Sequence, residues 1–591
     1  GAGVGLPNAN RAFYRVVAVD DRGKRSGPSD YAAAARPFIY SKPPGGARVG
    51  AEFRHRVAVV RSLGDLRLRV VGGKEEAGFW DVERPRFVLV QGPAWLRIDE
   101  STGVLRGVPD AAGGADVVVR VTLERSVRRL DEGRLSWGQE LVKEVAVEKT
   151  GSATQRFRVQ VSGEPPRRNR TNVERLSLAR LAAAHADVQK LQAQRVPVPP
   201  LPGLNDYRCV LHAHAEDSAH TGGTLPELLA DAKKAGVHAV LLTDHFRPPR
   251  DFIDGRWRGL KDGVLFVPGS ETHGFLIYPM KSILPRMGLK GKDFIDTVSA
   301  GGGMIFLSHI EERKDHPLDG LTGLEIYNRH YDAKRDKASM LALALKLTDP
   351  GQLAELEEAV RRYPDELFAF QCDYPKVYLD KWDEGTRHRR LTGVAANDCH
   401  HNQVFLVKMV DAETVLIGTG VDQDRQMRKV TAALRPGIKE MTKGRKPGDV
   451  LARLDTDPYA VSFRNSATHV LAPRLDEPAL RAALRAGHAF VAHDWMGDAT
   501  GFRFAAEGPR GGQAALMGDE VELADGLKLT AKLPLPACVR LLRYGKEVAK
   551  SDGKAEFEFA VKEAGAYRLE AWLELDGEFR PWVFANPIYV R

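Results

Sequence analysis

Cysteine is scarce: Cys209, Cys372, Cys399 and Cys538 are the only four in 591 residues. Their scatter gives no CxxC pair and no disulfide framework, so burial as small apolar residues accounts for them. Long apolar runs are missing too. No segment approaches the roughly 20 residues that a membrane-spanning helix needs, so no such span is expected. There is no Gly-x-Ser-x-Gly elbow, and no phosphate-cradling glycine loop; Gly301-Gly302-Gly303 precedes an apolar strand instead of following one. Excess charge is modest at +9, and its Arg-rich stretch around Arg167 to Arg170 falls in an apparent linker. That balance fits a solvated basic surface, and no nucleic-acid partner is expected.

What the chain has is length and ordinary globular composition, with 43% apolar and 28% charged residues. Such a length exceeds one hydrophobic core and predicts several domains. Residues 1–38 read as strand, turn and strand. The phrase Phe13 to Asp20, followed by Gly27-Pro28-Ser29, resembles the last strands of a fibronectin type III module. A longer, truncated precursor is therefore expected. From 45 to 163, short alternating strands broken by Gly, Pro and Asp predict an all-β sandwich. Here Gly92 to Asp99 and Thr102 to Pro109 resemble the cadherin-like immunoglobulin folds of secreted bacterial proteins. Trp95 and Leu96 would be core, and the module type implies an exported protein with surface or glycan contacts. Residues 164–205 read as a helical and Pro-rich linker, because Val196 to Gly203 cannot continue a helix.

After Asp206 the periodicity changes. Apolar runs of four to six residues alternate with helix-length segments, the pattern of βα units around a parallel sheet. Thr224 and Glu227 form a capping box, and Gly236 stops the helix they start. Further strands are predicted at Ala239 to Thr243, Leu265 to Val267, Met304 to Leu307, Leu324 to Tyr327 and Leu391 to Ala395.

The apolar segment before His212 and these strands run into residues of metal-ligand type, Leu324 to Tyr327 carrying Glu325 and ending at Asn328. His212 and His214 end the first, where alternation places both on one face. Asp244 and His245 follow the second, Glu271 and His273 the third, His309 the fourth, and Asp398 and His400 the last. In an α/β barrel the C-terminal strand ends form the active site. Imidazole and carboxylate without thiolate suit zinc, manganese or iron, and closely spaced divalent ions promote hydrolysis. Glu271 could bridge two ions, and Asp398 could orient a ligand or a bound water. Small-molecule or polymer esters are the expected substrates.

These motifs, from Asp206 to about Trp495, resemble the polymerase and histidinol phosphatase (PHP) superfamily. They comprise the HxH pair with His220 six residues on, Thr-Asp-His, Gly-Ser-Glu, Ser-His and Asp-Cys-His. The resemblance implies a distorted (β/α)7 barrel over 206–497 and a cluster of two or three divalent ions. Carried over, His212, His214, Glu271 and Asp398 form one site. Glu271, His273 and His309 form a second, and His220, His245 and His400 a third, with Asp217 the rival to His220. Asp398, Glu271 and His309 would stand closest to the chemistry. Within the superfamily, Ala486 to Val491, His493 to Trp495 and the ending from Arg580 to Arg591 resemble the CehA/McbA-type branch. That ending belongs to a predicted sandwich-like β-domain over 498–591.

Phosphoester hydrolysis leads among the activities the resemblance implies. Carbamate, ester or amide hydrolysis on the same cluster is one alternative, and a non-catalytic exported binding protein another. Glu325, Asn328, Arg329 and His330 follow a strand and are candidates to reach the pocket. His401, His469 and His493 read as structural. The stretch from Gln403 to Pro458 lies outside the motifs, as a lid, a dimer contact or a mobile loop.

Overall fold

The computed structural model describes the chain apart from residues 1–12, 15–16, 28–31, 34–35, 45, 50–51, 63–64, 72–73, 81, 110–112, 131–141, 163–169 and 510–511. Of the fibronectin-like phrase, residues 15–16 and 28–29 lie outside the described residues; its Phe13–Tyr14 pairs with Ala32–Ala33. The protein is multi-domain and mixed α/β, in two compact units, Gly1–Arg167 and Arg168–Arg591.

Among its described residues the first unit is all β. Gly113–Leu130 pairs antiparallel with Val142–Ser162 and with Glu83–Gln91. A separate three-stranded sheet joins Phe53–Arg56, Leu96–Ile98 and Val104–Gly107. Period-two alternation turns Val117, Val119 and Val121 inward, where they share a core with Phe53, Phe87, Leu96 and Leu105. Leu96 is buried as expected; Trp95 is half-buried and meets Phe53 edge-on.

The second unit holds the strands that carry the candidate ligands. They are β1 (Asn205–Ala213), β2 (Ala239–Leu242), β3 (Val264–Val267), β4 (Ser270–Thr272), β5 (Phe275–Tyr278), β6 (Met304–Leu307), β7 (Gly323–Asn328) and β8 (Thr392–Cys399). Parallel pairing joins β1 to β2, β2 to β3, β6 to β7 and β7 to β8, and β8 pairs back onto β1. A bridge between His245 and Glu271 links the end of β2 to β4, and β4, β5 and β6 follow in antiparallel pairs. Every residue of β2, β3, β5, β6 and β7 is buried. Burial on both faces is why β2, β3, β5 and β6 read as unbroken apolar runs, although β5 is antiparallel to both its neighbours.

Local signals behave as their chemistry demands. Thr224 caps α1 (Leu225–Lys234) with both arms of the capping box formed, and Gly236 takes the left-handed backbone (φ +68°) that ends it. The helix Leu178–Gln194 buries Leu181 and Val188 against this same unit. The Pro-rich run after it is extended, with the Val196 N–H donating to the Pro534 carbonyl at 2.9 Å. The stretch read as an unexplained insertion is a folded element. Its four antiparallel strands share a core with Leu181, Leu343, Leu353 and Leu356. Near the C-terminus, Glu578–Ala585 pairs with Ala489–Ala492, so the last strands join the sheet system of this unit. No described helix is long and apolar enough to cross a membrane.

Candidate metal centre

The ligand-type residues gather because the strand ends bend inward. His212, His309 and Asp398 all adopt left-handed backbone, with φ of +69°, +47° and +48°. Each costs on the order of 1 kcal/mol for a residue with a Cβ, although His and Asp tolerate the region better than most. Pairing of β1 with both neighbours slips between Leu211 and Ala213. The regular alternation expected at His212-Ala213-His214 is thus interrupted, yet both rings converge on the same carboxylates. Their Nε2 atoms lie 3.4 and 3.8 Å from Glu271 Oε2, and 3.3 and 3.7 Å from Asp398 Oδ1.

Two groups meet across Glu271. On one side, His309 Nε2 is 3.1 Å from Glu271 Oε1 and 3.5 Å from Asp398 Oδ2, completing a set with His212. On the other, the His214 ring stacks on those of His400 and His245, at 4.1 and 4.3 Å between centroids. His245 Nε2 reaches Glu271 Oε2 at 3.3 Å. Two of the trios whose donor atoms all lie within 4.8 Å of one another are His214, His245, His400 and His212, His309, Asp398. The Nε2 atoms of His212, His214 and His400 are buried and make no hydrogen bond. Buried polar atoms normally find partners. Nitrogen and oxygen atoms about 3.3 to 3.8 Å apart are what ligands about 2.1 Å from a shared ion would present. The donor set therefore fits divalent cations.

Buried carboxylates hold the rings from behind. Glu325 Oε1 is 2.7 Å from His212 Nδ1, while its Oε2 accepts the His309 backbone N–H at 2.8 Å and the Asn328 amide at 3.0 Å. Asp217 Oδ2 takes the Nδ1 side of both His214 (3.1 Å) and His245 (2.6 Å), and accepts the His245 backbone N–H. With Nδ1 engaged, each Nε2 faces the centre, the arrangement that orients metal-bound histidines. Tyr459 donates to the His214 carbonyl at 2.5 Å. Asp244 is scaffold: it accepts the Ala215 N–H and pairs with Arg256.

The electrostatics match a cation site. Burial opposes charge on His212, but the Asp398 and Glu271 carboxylates outweigh it and raise its pKa to about 10. Burial likewise opposes charge on His309, whose bonds to Glu271 and Glu311 push it up to about 12. His400 moves the other way, to about 3, through burial and the neighbouring His214. Burial favours the neutral forms of Glu271 and Asp398, yet the surrounding imidazoles hold both below the usual carboxylate range. At His212 and His309 the carboxylates favour a positive charge, which divalent ions would supply.

Not every expected ligand joins the cluster. His273 follows a left-handed turn of its own (φ +52°), and its Nε2 is 2.8 Å from the Met287 carbonyl oxygen. The resemblance implies that His273 joins Glu271 and His309; the chain reverses at His273-Gly274, between β4 and β5, and carries the ring to Met287 instead. His220 lies at the rim, its ring 4.9 Å from those of His245 and His400 and its Nδ1 3.0 Å from Ser218 Oγ. Asp217, its sequence rival, sits behind the imidazoles. His401 bridges Glu227 and Asp455 away from the centre. A cleft of about 480 Å³ opens over the cluster, bordered by His245, Glu271, His309, His330, Asp398 and His400.

A scan of protein-family models matches none of them to this chain. Among solved structures, the chain is similar to a two-domain Bacteroides vulgatus ATCC 8482 protein containing a predicted PHP-like metal-dependent phosphoesterase. Identity is 13%, 66% of this chain and 98% of that one are covered, and the TM-score is 0.25. It also aligns with a proposed alpha-galactosidase/melibiase of Bacteroides fragilis NCTC 9343. There identity is 11%, coverage 93% and 97%, and the TM-score 0.13. Likenesses this slight carry no argument, and the functional reading rests on the geometry of the centre.

Proposed function

We propose that this protein is a metal-dependent hydrolase of the PHP type, acting on phosphoesters. The observation that carries the reading is the convergence of His212, His214, His245, His309, His400, Glu271 and Asp398, with three buried Nε2 atoms left without hydrogen bonds. In this reading the strand ring β1 to β8 is the distorted (β/α)7 barrel, and the first unit is a sandwich module of an exported protein. His212, His309, Glu271 and Asp398 would hold one part of a cluster of two or three zinc, manganese or iron ions. His214, His245 and His400 would hold the other, with Glu271 between them and His220 at the rim. Divalent ions supply, when bound, acidification of water to near-neutral pKa and neutralisation of charge on the reacting ester.

The chain's own residues do the rest. Glu325 and Asp217 lock the imidazoles, which fixes the geometry before substrate arrives. Asp398, against the cleft and between His212 and His309, is placed to hold the reacting water in line. The test is turnover of a panel of phosphomonoesters and phosphodiesters by protein loaded with zinc, manganese or iron, beside Asp398→Ala. Turnover that falls at least about 100-fold in the variant, with folding intact, supports the reading. Turnover of carbamates or amides with none of phosphoesters would move the activity to the alternative substrate class.

A further inference from the structure

We infer that His330 is a catalytic residue that donates a ring N–H to the leaving-group oxygen; this rests on the phosphoesterase reading above. His330 is the second residue of the helix Arg329–Arg335, directly after β7. Its position is fixed by the network that orients the metal ligands. The Asn328 side-chain oxygen accepts the His330 backbone N–H at 2.8 Å, and the Asn328 amide donates to Glu325, which holds His212 and His309.

The ring stands edge-on to His309 at 5.6 Å, and its Nδ1 is 3.9 Å from Asp398 Oδ2. His330 belongs to none of the trios whose donor atoms lie within 4.8 Å of one another, so it stands beside the proposed ligands. His212 and His214 are fully buried, whereas the His330 side chain is 54% exposed and borders the same cleft. At 3.9 Å no hydrogen bond fixes the proton on Nδ1, and Nε2 has no partner among the described residues. An imidazole at the wall of the cleft, anchored at its backbone and making no hydrogen bond through its ring among the described residues, is open to substrate.

The reaction gives it a task. As the water oxygen forms the new P–O bond it gives a proton up to solvent; the old P–O bond breaks, its electron pair passes to the leaving oxygen, and that oxygen takes the ring proton of His330, which solvent then replaces. An N–H placed there stabilises the growing charge, most of all for an alkoxide, which is a poor leaving group. Positioned groups of this kind contribute about 10² to 10⁴ in rate. For a nitrophenolate, stable without help, the contribution shrinks.

The experiment compares wild type, His330→Ala and His330→Gln, all metal-loaded, on phosphomonoesters running from 4-nitrophenyl to alkyl. Metal content is measured on each preparation. The inference expects equal metal content and a loss in His330→Ala of about 100-fold or more on alkyl esters. It expects less than about 5-fold on the 4-nitrophenyl ester, with Gln, which keeps an N–H donor, recovering part of the difference. A loss equal across the series, or no loss, overturns it. So does loss of metal from the Ala variant, which would make His330 a ligand. Absence of phosphoester turnover by metal-loaded wild type is a different failure; it defeats the phosphoesterase reading and takes this inference with it.

Discussion

Replacing Glu325 by alanine tests the idea that the centre is built from behind. The side chain is fully buried and ends three contacts: His212 Nδ1, the His309 backbone N–H and the Asn328 amide. Two of these position proposed ligands directly, and the third anchors the segment that carries His330. Truncation leaves all three groups facing a space without an acceptor. Each buried unsatisfied group costs about 1 to 3 kcal/mol, offset in part by relief of carboxylate burial. Losing a carboxylate that orients a metal-bound histidine weakens metal affinity about 10- to 100-fold, equivalent to about 1.4 to 2.7 kcal/mol. The assay is competition of wild type and Glu325→Ala against a chromophoric chelator for zinc or manganese, with circular dichroism to confirm folding. A folded variant whose affinity stays within about 3-fold of wild type would refute the claim that Glu325 organises the centre.

Two other substitutions separate the cluster from its surroundings. His273→Ala is expected to keep wild-type metal content and affinity, because the ring bonds to the Met287 carbonyl; elemental analysis checks it. His469 is buried between Asp206 (2.7 Å) and Asp494 (3.0 Å) and does not border the cleft. Burial opposes its charge, but the two carboxylates raise its pKa to about 10. Because the folded value exceeds the unfolded one, about 6.5, the stabilisation is complete below pH 6.5 and is lost as pH rises through about 10. His469→Ala should therefore lose about 3 to 5 kcal/mol near pH 6, and the gap from wild type should narrow by pH 10. Urea melts at the two pH values read this directly.

Much of the centre was legible because strand ends and ligand residues coincide along the chain. Apolar runs leading into His212, His245, His309 and Asp398 marked strands that the structure contains, and placed the candidate ligands at their ends. The capping box at Thr224 and Glu227 was equally readable, since local hydrogen bonding alone decides it. His273 was misplaced by the same reasoning. A strand-end position faces the site only while the backbone stays extended, and His273-Gly274, both at positive φ, form the two-residue turn between β4 and β5. Glu325 and Asp217 were visible as candidates, but their task of holding Nδ1 atoms depends on contacts across up to 113 positions of the chain. The region from 403 to 458 carries no ligand motif. Its order comes from packing against helices far away in sequence, which periodicity within the segment does not reveal.

The central claim is that this constellation holds metal, and metal content per chain is its most direct test. Protein purified without added metal, then analysed by elemental mass spectrometry, should carry two or three equivalents of zinc, manganese or iron. In His212→Ala, which removes a donor facing both Glu271 and Asp398, that content should fall. Less than half an equivalent in the wild type, unrecovered after incubation with those ions, would contradict the account.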